Sequence, residues 1–251
     1  MANYSGGSIS VFKLNTDGSI DKKIYDESYP CGSKVDSDRQ SGSHPHQVVL
    51  FKNFAYVVDL GSDQIFFYRV VNNSSGELQI QTPAGFQTYV GPGYGPRHIA
   101  IDAKRSRAYL INELKMILSV FNVDPVTGSL VRMKDLEYQI PSADPKTTQL
   151  GSEIEIHPNG EFLYVSHRGN GAIVVFQIIT ADNGYIKQIQ AEQTKGTWPR
   201  HFAISPCGSY LASVDQCLNL MEVFKIDQNG KVGIKTQQQC GKSPTVITWV
   251  K

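Results

Sequence analysis

The sequence predicts an all-β protein, a β-propeller of four-stranded antiparallel blades. Three observations lead to this fold class. A unit of about fifty residues recurs along the chain, which is typical of propeller blades. Each unit contains short strand patterns separated by turn signals, and no segment shows a convincing amphipathic-helix period. The two ends of the chain resemble complementary parts of one further unit, so we expect a single domain over residues 1–251.

Four copies of the unit share a first strand and its turn. Pro96–Val123 aligns without a gap with Pro199–Ile226, and Gly151–Ile178 lies in the same register. The copy at Pro45–Val70 is shorter at its first turn. Counted from the second residue of each copy, the units start at His46, Arg97, Ser152 and Arg200, which are 51, 55 and 48 residues apart. A β-sandwich would not repeat its turn chemistry in this way, so the repeat favours a propeller.

Each unit predicts four strands in the same order. In the third copy the first strand ends at the His-Pro-Asn-Gly turn of residues 157–160, where proline presets φ and glycine accepts a positive φ. A second strand follows at residues 162–165, and a third alternates its side chains between two faces over residues 173–178. Polar turns at Asp182–Gly184 and Asp227–Gly230 lead to weaker fourth strands.

The two ends predict how the ring closes. The N-terminal segment ANYSGGSISVFKL aligns with the second and third strands of a blade, and the C-terminal segment SPTVITWVK aligns with a first strand. An open sheet edge exposes unpaired backbone groups, so a blade shared by both termini would protect the structure. We therefore expect five blades, with the last one closed by both termini.

Composition and charge restrict the partners. The chain is 40% hydrophobic and 19% charged, with a net charge of +1, which disfavours nucleic acid or a membrane as the main partner. Apolar runs reach only strand length, and no signal-peptide pattern precedes the first strand. The cysteines (Cys31, Cys207, Cys217 and Cys240) form no metal-binding spacing, so we expect free thiols, a cytoplasmic protein, and no cofactor.

Two columns of the repeat predict a polar pocket at the centre. The first strand of a blade lines the channel and the second runs back, so the start of one lies beside the end of the other. The first-strand column contains His46, Arg97, Ser152, Arg200 and Thr245, followed by Gln47, His98, Glu153, His201 and Val246. The second-strand column ends at Tyr4, Leu60, Glu113, Arg168 and Gln216. These columns concentrate arginine, histidine and acid around one mouth.

The residue types in these columns suit a small anionic substrate. The candidate catalytic residues are His46, Arg97, Glu113 and Arg168. The candidate substrate-binding residues are Arg200, His98, His201 and Glu153. Arginines bind carboxylate or phosphate through a planar fork, while a glutamate and a histidine supply a base and an acid. The set fits hydrolysis of a sugar lactone and, equally, cyclisation of a polycarboxylate.

Structural roles compete with these assignments. Arg97 and Glu113 are also compatible with a structural ion pair between adjacent strands. The histidines of the two Pro-Arg-His motifs are also compatible with packing between blades. Asp59 and Asp215 end two second strands, where an aspartate caps the following turn. A metal at His46, Glu113 and Asp59 is not required by any spacing, so no metal is expected.

Several motifs resemble the lactonase family of propellers, which includes bacterial 6-phosphogluconolactonases and fungal carboxy-cis,cis-muconate cyclase. They include RQSGSHPHQV, GPRHIAID, HPNGEFLYVSHRG and PRHFAISPCGSYL, and the resemblance extends from Ala2 to Val250. It implies that residues proposed for catalysis in the cyclase match His46, Arg97, Glu113 and Arg168. Family members are seven-bladed, so this chain is either a shortened five-bladed protein or a piece of a longer one.

Three functions follow from the sequence and its resemblance. The first is a lactonase that opens a 6-phosphogluconolactone-type substrate at the channel mouth. The second is a muconate-type cyclase that uses the same arginines. The third is a non-catalytic propeller that binds a ligand or a protein partner, since the fold alone does not define an activity.

Overall fold

Five antiparallel sheets follow one another along the chain in a computed structural model that describes residues 1–140, 144, 146–182 and 185–250. The all-β propeller prediction is confirmed. The one helical segment in these described ranges is a short 3₁₀ turn at Thr180–Asp182. The predicted turn at Asp182–Gly184 falls mainly outside the described residues.

The strands are numbered in chain order. Sheet I contains β1 (Ala2–Asn3), β2 (Ser8–Leu14) and β3 (Ile20–Ser28). Sheet II contains β4 (Pro45–Phe51), β5 (Phe54–Asp59), β6 (Gln64–Asn72), β7 (Leu78–Gln81) and β8 (Gln87–Tyr89). Sheet III contains β9 (Pro96–Asp102), β10 (Arg107–Asn112), β11 (Ile117–Val123) and β12 (Leu130–Glu137). Sheet IV contains β13 (Leu150–Ile156), β14 (Phe162–Arg168), β15 (Ala172–Ile179) and β16 (Tyr185–Gln193). Sheet V contains β17 (Pro199–Ile204), β18 (Tyr210–Asp215), β19 (Leu220–Ile226) and β20 (Val232–Gln239).

The first strands of neighbouring sheets pack side by side, in the order β4, β9, β13 and β17. Apolar side chains between successive sheets form the core. Phe54 and Phe121 meet between sheets II and III, and Leu163 and Phe176 contribute to the cluster between sheets III and IV. Phe202 packs in the cluster between sheets IV and V. Because sheets II, III and IV each bury both faces against their neighbours, the polar first-strand starts are held at one end of this row of strands.

The fourth strand of sheet II is broken into two pieces that pair with the same neighbour. Strand β7 pairs with β6 at Arg69–Asn72, and β8 pairs with it at Gln64–Phe66. Between the pieces, Pro83 lacks an N–H donor and Gly85 adopts a φ of 67°. The predicted weakness of fourth strands is most evident here.

The C-terminal segment requires a correction. Residues 243–250 were expected to supply the first strand of a shared fifth blade, but they contain no strand, and sheet I has three strands. Its candidate partner β1 is two residues long, so it offers little backbone for a ladder. The segment lies instead beside β17, where the Trp249 indole donates to Ala203 O at 3.0 Å and Ile247 N–H points to His201 Nδ1 at 3.4 Å.

A β-bulge interrupts the start of every first strand in sheets II to V. In sheet III, Pro96 pairs with Asn112 and His98 pairs with Ile111, so Arg97 lies outside the ladder. The register shifts in the same way at Pro45/Gln47, Gly151/Ile154 and Pro199/His201. A bulge re-aims its extra side chain, and proline is tolerated at the first residue of a strand. The repeated Pro-Arg-His motif therefore encodes a bulge whose arginine is turned out of the pleat.

The predicted aspartate caps are confirmed. Asp59 Oδ1 accepts backbone N–H groups from His44 and Gly61, at 2.6 and 3.0 Å. Asp215 accepts the N–H groups of Trp198 and Leu218 at 2.6 and 2.7 Å. These buried carboxylates fix the turn after the second strand against the residue that precedes the bulge in the first strand of the same sheet.

The four cysteines are free thiols, in agreement with the sequence prediction. Over the part of the chain that the structure describes, no helix has the length and apolar character needed to cross a membrane. The expected cytoplasmic location stays a prediction.

Candidate active site

All eight predicted site residues gather at the starts of the first strands and the ends of the second strands. A cavity of about 450 Å³ is lined in part by His46, Glu113, Arg168 and Arg200. A second cavity of about 500 Å³ shares His46 and Arg200 with the first and adds Arg97, His98 and His201. The eighth residue, Glu153, lies behind these histidines and is 4% exposed. Volumes of this size suit a small molecule.

Glu113 is the anion at the centre of an arginine cluster. Arg168 Nη2 lies 2.8 Å from Glu113 Oε2, and Arg97 Nε lies 3.0 Å from the same oxygen. Arg39 Nη2 donates to the other oxygen, Oε1. Three guanidinium groups therefore share one carboxylate, which leaves the cluster with a net positive charge. The ion pair between Arg97 and Glu113 considered from the sequence is present.

A close approach between sheets III and IV positions this cluster. Gly151 N–H donates to Glu113 O at 3.0 Å, and a Cβ at Gly151 would lie 2.4 Å from Asn112 O. Only glycine allows this contact. The approach also lets Arg168 Nη2 donate to Gly151 O at 2.8 Å, while Arg97 Nη1 donates to Ser152 O at 2.6 Å. Backbone carbonyls thus fix both guanidiniums in place.

The electrostatics of the cluster keep Glu113 ionised. Burial alone would raise the pKa of Glu113, but Arg168, Arg97 and Arg39 hold it below its ordinary value. Burial lowers the pKa of Arg97 to about 10, which leaves it a cation at neutral pH. The Nε–H groups of Arg97 and Arg168 are buried without an aligned acceptor among the described residues.

A chain of three polar side chains crosses the first strands. His46 Nδ1 lies 3.0 Å from His98 Nε2, and His98 Nδ1 lies 2.8 Å from Glu153 Oε1. His201 Nε2 lies 2.9 Å from Glu153 Oε2, but that oxygen has no aligned hydrogen bond. Burial, followed by the charges of Arg97, His98 and Arg200, holds the pKa of His46 far below its ordinary value. His46 is therefore neutral at pH 7.

Arg200 differs from the other arginines of the mouth. Its Nη1 donates to the side-chain oxygen of Gln216 at 3.2 Å, and no carboxylate among the described residues forms an ion pair with it. It lines both cavities. A guanidinium without an anionic partner, next to a cluster that is already positive, attracts an anion.

Two residues at the mouth were not singled out as candidates from the sequence. Arg39 lies in the connection before β4, outside the repeat, although it begins the RQSGSHPHQV motif. Trp198 precedes β17, and the Arg168 guanidinium lies 5.6 Å from the centre of its ring. A search confined to the repeat columns misses both, because loops between sheets carry them.

Tyr4, a member of the second-strand column, is held by histidine. Its ring stacks on His44 at a centroid distance of 4.6 Å, and His44 Nδ1 lies 2.9 Å from Tyr4 O. The same ring meets His46 edge-on at 5.4 Å. Within the described ranges, no group of three or more His, Cys, Asp or Glu side chains is arranged to hold a metal ion. The site consists of arginines, histidines and two carboxylates.

A β-propeller with a cationic site where the first strands of its sheets meet is the class that this fold and geometry define. The lactonase family model, described as a 7-bladed β-propeller, matches residues 1–249. The chain belongs to this lactonase family.

Known relatives agree with this assignment. The 6-phosphogluconolactonase of Bacillus subtilis is 29% identical over 232 residues, covering 90% of this chain and 62% of the relative. That of Formosa agariphila is 32% identical over 237 residues, covering 92% and 65% respectively. The periplasmic gluconolactonase of Pseudomonas aeruginosa superposes with a TM-score of 0.89 at 29% identity, covering 100% of this chain and 69% of that structure. The chain thus spans somewhat less than two thirds of the length of these curated relatives.

Proposed function

We propose that this chain carries the hydrolytic site of a lactonase that opens a phosphorylated sugar lactone of the 6-phosphogluconolactone type. The observation that carries the proposal is the arginine cluster around Glu113, with Arg200 beside it lacking any carboxylate partner among the described residues. Two related curated proteins named 6-phosphogluconolactonase support the substrate class.

Each part of the site has a role in this reaction. Arg200 holds the anionic group of the substrate, and the positive charge of Arg97 and Arg168, which line the two cavities, stabilises the oxyanion that forms at the lactone carbonyl. Glu113 anchors the three arginines. His46 is the proton acceptor for the attacking water, because its Nδ1 is engaged by His98 while its Nε2 has no partner among the described residues.

The steps balance as a hydrolysis. Water oxygen bonds to the lactone carbonyl carbon as His46 takes one of its protons. The resulting tetrahedral oxyanion is stabilised by guanidinium N–H groups. It collapses with cleavage of the ring C–O bond, and the departing alkoxide oxygen takes the proton back from His46. The product is an open-chain hydroxy acid that retains the anionic group.

A lactonase assay with a matched pair of histidine variants tests the proposal. Proton release from 6-phosphogluconolactone is measured at constant pH, with spontaneous hydrolysis subtracted. His46→Asn is expected to lower kcat by about 10² or more. His157→Asn, at the opposite end of sheet IV where His157 Nε2 lies 2.8 Å from Gly208 O, is the control. No hydrolysis above background by the wild-type protein would contradict the lactonase assignment, and cyclisation of a muconate or ligand binding without turnover would then be tested.

A further inference from the structure

A continuous line of side chains connects Glu153 to the proposed proton acceptor. It runs from Glu153 on β13 through His98 on β9 to His46 on β4, so three neighbouring sheets contribute one residue each. Glu153 is 4% exposed and His98 is 9% exposed, whereas His46 is partly exposed and lines both cavities. The line therefore leads from the interior to the space where a substrate fits.

The carboxylate sets the direction of every hydrogen bond in this line. An ionised carboxylate only accepts, so His98 Nδ1 carries a proton and donates to Glu153 Oε1 at 2.8 Å. The backbone N–H of Ile154 donates to the same oxygen at 2.9 Å, which fixes its position. A neutral His98 then presents a lone pair at Nε2, and His46 Nδ1 must donate to it across 3.0 Å. This leaves the lone pair of His46 on Nε2.

The neighbouring Arg97 guanidinium does not reverse the direction of these hydrogen bonds. Arg97 Nη1 lies 3.5 Å from His98 Nδ1 and 3.4 Å from its Nε2, so it is nearly equidistant from the two nitrogens. Its short hydrogen bond goes to Ser152 O at 2.6 Å. Burial, offset in part by Glu153, lowers the pKa of His98, which keeps the ring neutral. A neutral ring has one donor and one acceptor nitrogen, as the line requires.

We propose that Glu153, acting through His98, is a positioning residue that holds His46 in its Nδ1–H tautomer and so keeps Nε2 as the proton acceptor in the cavity. The catalytic part of this inference rests on the proposed hydrolysis, whereas the tautomer itself does not. The arrangement also stabilises the transition state, because a proton arriving at Nε2 creates a positive ring whose charge is partly balanced by a buried carboxylate at the end of the line.

Other titratable and charged groups face His46 from every neighbouring element, and none supplies a second acceptor for Nδ1. These groups are Tyr4 and His44 near the N-terminal side, Arg97 and His98 from β9, and Arg200 from β17. Glu155, two residues after Glu153 on the same strand, accepts the N–H of Ile204 at 2.8 Å instead. It therefore provides a matched control.

The tautomer is measured directly on the wild-type protein by nitrogen-15 NMR of the histidine rings, with His46 assigned by comparison with His46→Asn. The expected result is a proton on Nδ1 and none on Nε2 of His46 at pH 7. A proton on Nε2, or on both nitrogens, would overturn the inference. This measurement needs no substrate and no variant that alters Glu153, so it decides the inference even if those variants do not fold.

Three variants then connect the tautomer with turnover. Glu153→Ala removes the acceptor, and we expect a mixed His46 tautomer with kcat lowered about tenfold or more at unchanged KM. Glu153→Gln keeps an acceptor oxygen and is expected to retain the tautomer and recover part of kcat, while Glu155→Ala leaves both readouts unchanged. A Glu153→Ala protein with the wild-type tautomer would overturn the inference. Absence of lactonase activity in the wild-type protein would instead overturn the proposed function.

Discussion

Glu113 and Arg168 join two neighbouring sheets through a contact of 2.8 Å between Oε2 and Nη2, with both side chains 3% exposed. The same oxygen lies 3.0 Å from Arg97 Nε. A buried carboxylate held by three arginines is a poor base, because both of its oxygens are already engaged. We therefore propose that Glu113 assembles the site rather than transferring a proton.

Glu113→Gln is therefore expected to cost stability as well as activity. Removing the charge leaves three arginines without their anion, and breaking a buried pair of this kind typically costs about 3–5 kcal/mol. Urea unfolding measures the free energy, with Glu161→Gln in the exposed turn before β14 as the control. A variant that unfolds at the wild-type midpoint but has lost kcat would instead identify Glu113 as a base.

Arg200→Ala is expected to affect phosphorylated and unphosphorylated lactones differently. A charge-assisted hydrogen bond contributes about 1.5–3 kcal/mol, so KM for the phosphorylated lactone should rise about tenfold to a hundredfold. Hydrolysis of the corresponding unphosphorylated lactone should change little. Steady-state kinetics on both substrates checks this, with Arg69→Ala, an exposed arginine on β6, as the control. Equal losses on the two lactones would argue against a role in anion binding.

The stability contributed by buried neutral histidines is expected to fall as the pH drops below about 6.5, the ordinary pKa of histidine. Burial holds the pKa of His46 far below this value and lowers that of His167 to about 3. Below pH 6.5 these histidines are protonated in the unfolded chain but stay neutral in the folded protein. Their contribution to the free energy of unfolding is therefore complete above pH 6.5 and is lost on acidification.

The loss approaches about 1.4 kcal/mol per pH unit for each such histidine. Unfolding free energies measured between pH 8 and pH 5 test the slope. His46→Asn should reduce the slope of the unfolding free energy against pH by about 1.4 kcal/mol per pH unit, whereas His167 should continue to contribute to the slope. An identical slope in wild type and variant would show that His46 titrates normally in the folded protein.

Deleting residues 244–251 is expected to lower the free energy of unfolding by about 1–2 kcal/mol without abolishing cooperative unfolding. Among the described residues, this segment has no strand ladder, and its hydrogen bonds to β17 come from Ile247 and Trp249. Two hydrogen bonds of ordinary strength account for this magnitude. Thermal unfolding followed by circular dichroism measures it. A protein that aggregates or unfolds without a cooperative transition would restore the closing-strand interpretation.

The repeat predicted the strands that line the centre because equivalent turns and apolar strands recur at regular spacing. It also brought His46, Arg97 and Arg200 to one mouth, since each occupies the same position in its unit. The prediction of a C-terminal strand was wrong. Strand propensity in Thr245–Trp249 does not ensure a neighbouring strand to pair with, and β1 has only two residues.

Arg39 shows where repeat-based reasoning fails. It reaches Glu113 from a long connection, and neither strand period nor column position marks such a residue. The sequence also did not predict that three arginines contact the Glu113 carboxylate. Column positions predict that charges meet, but atomic distances decide whether a carboxylate is free to accept a proton or is held by cations.

The bulges affect how the sequence of such a protein can change during evolution. His46 and Arg200 contribute nothing to the strand ladders at their own positions, so the ladders do not constrain which side chain stands there. Substitutions at these points would alter the chemistry of the centre while leaving the framework intact. The molecule thus separates the part that must stay constant to fold from the part that is free to acquire a new substrate.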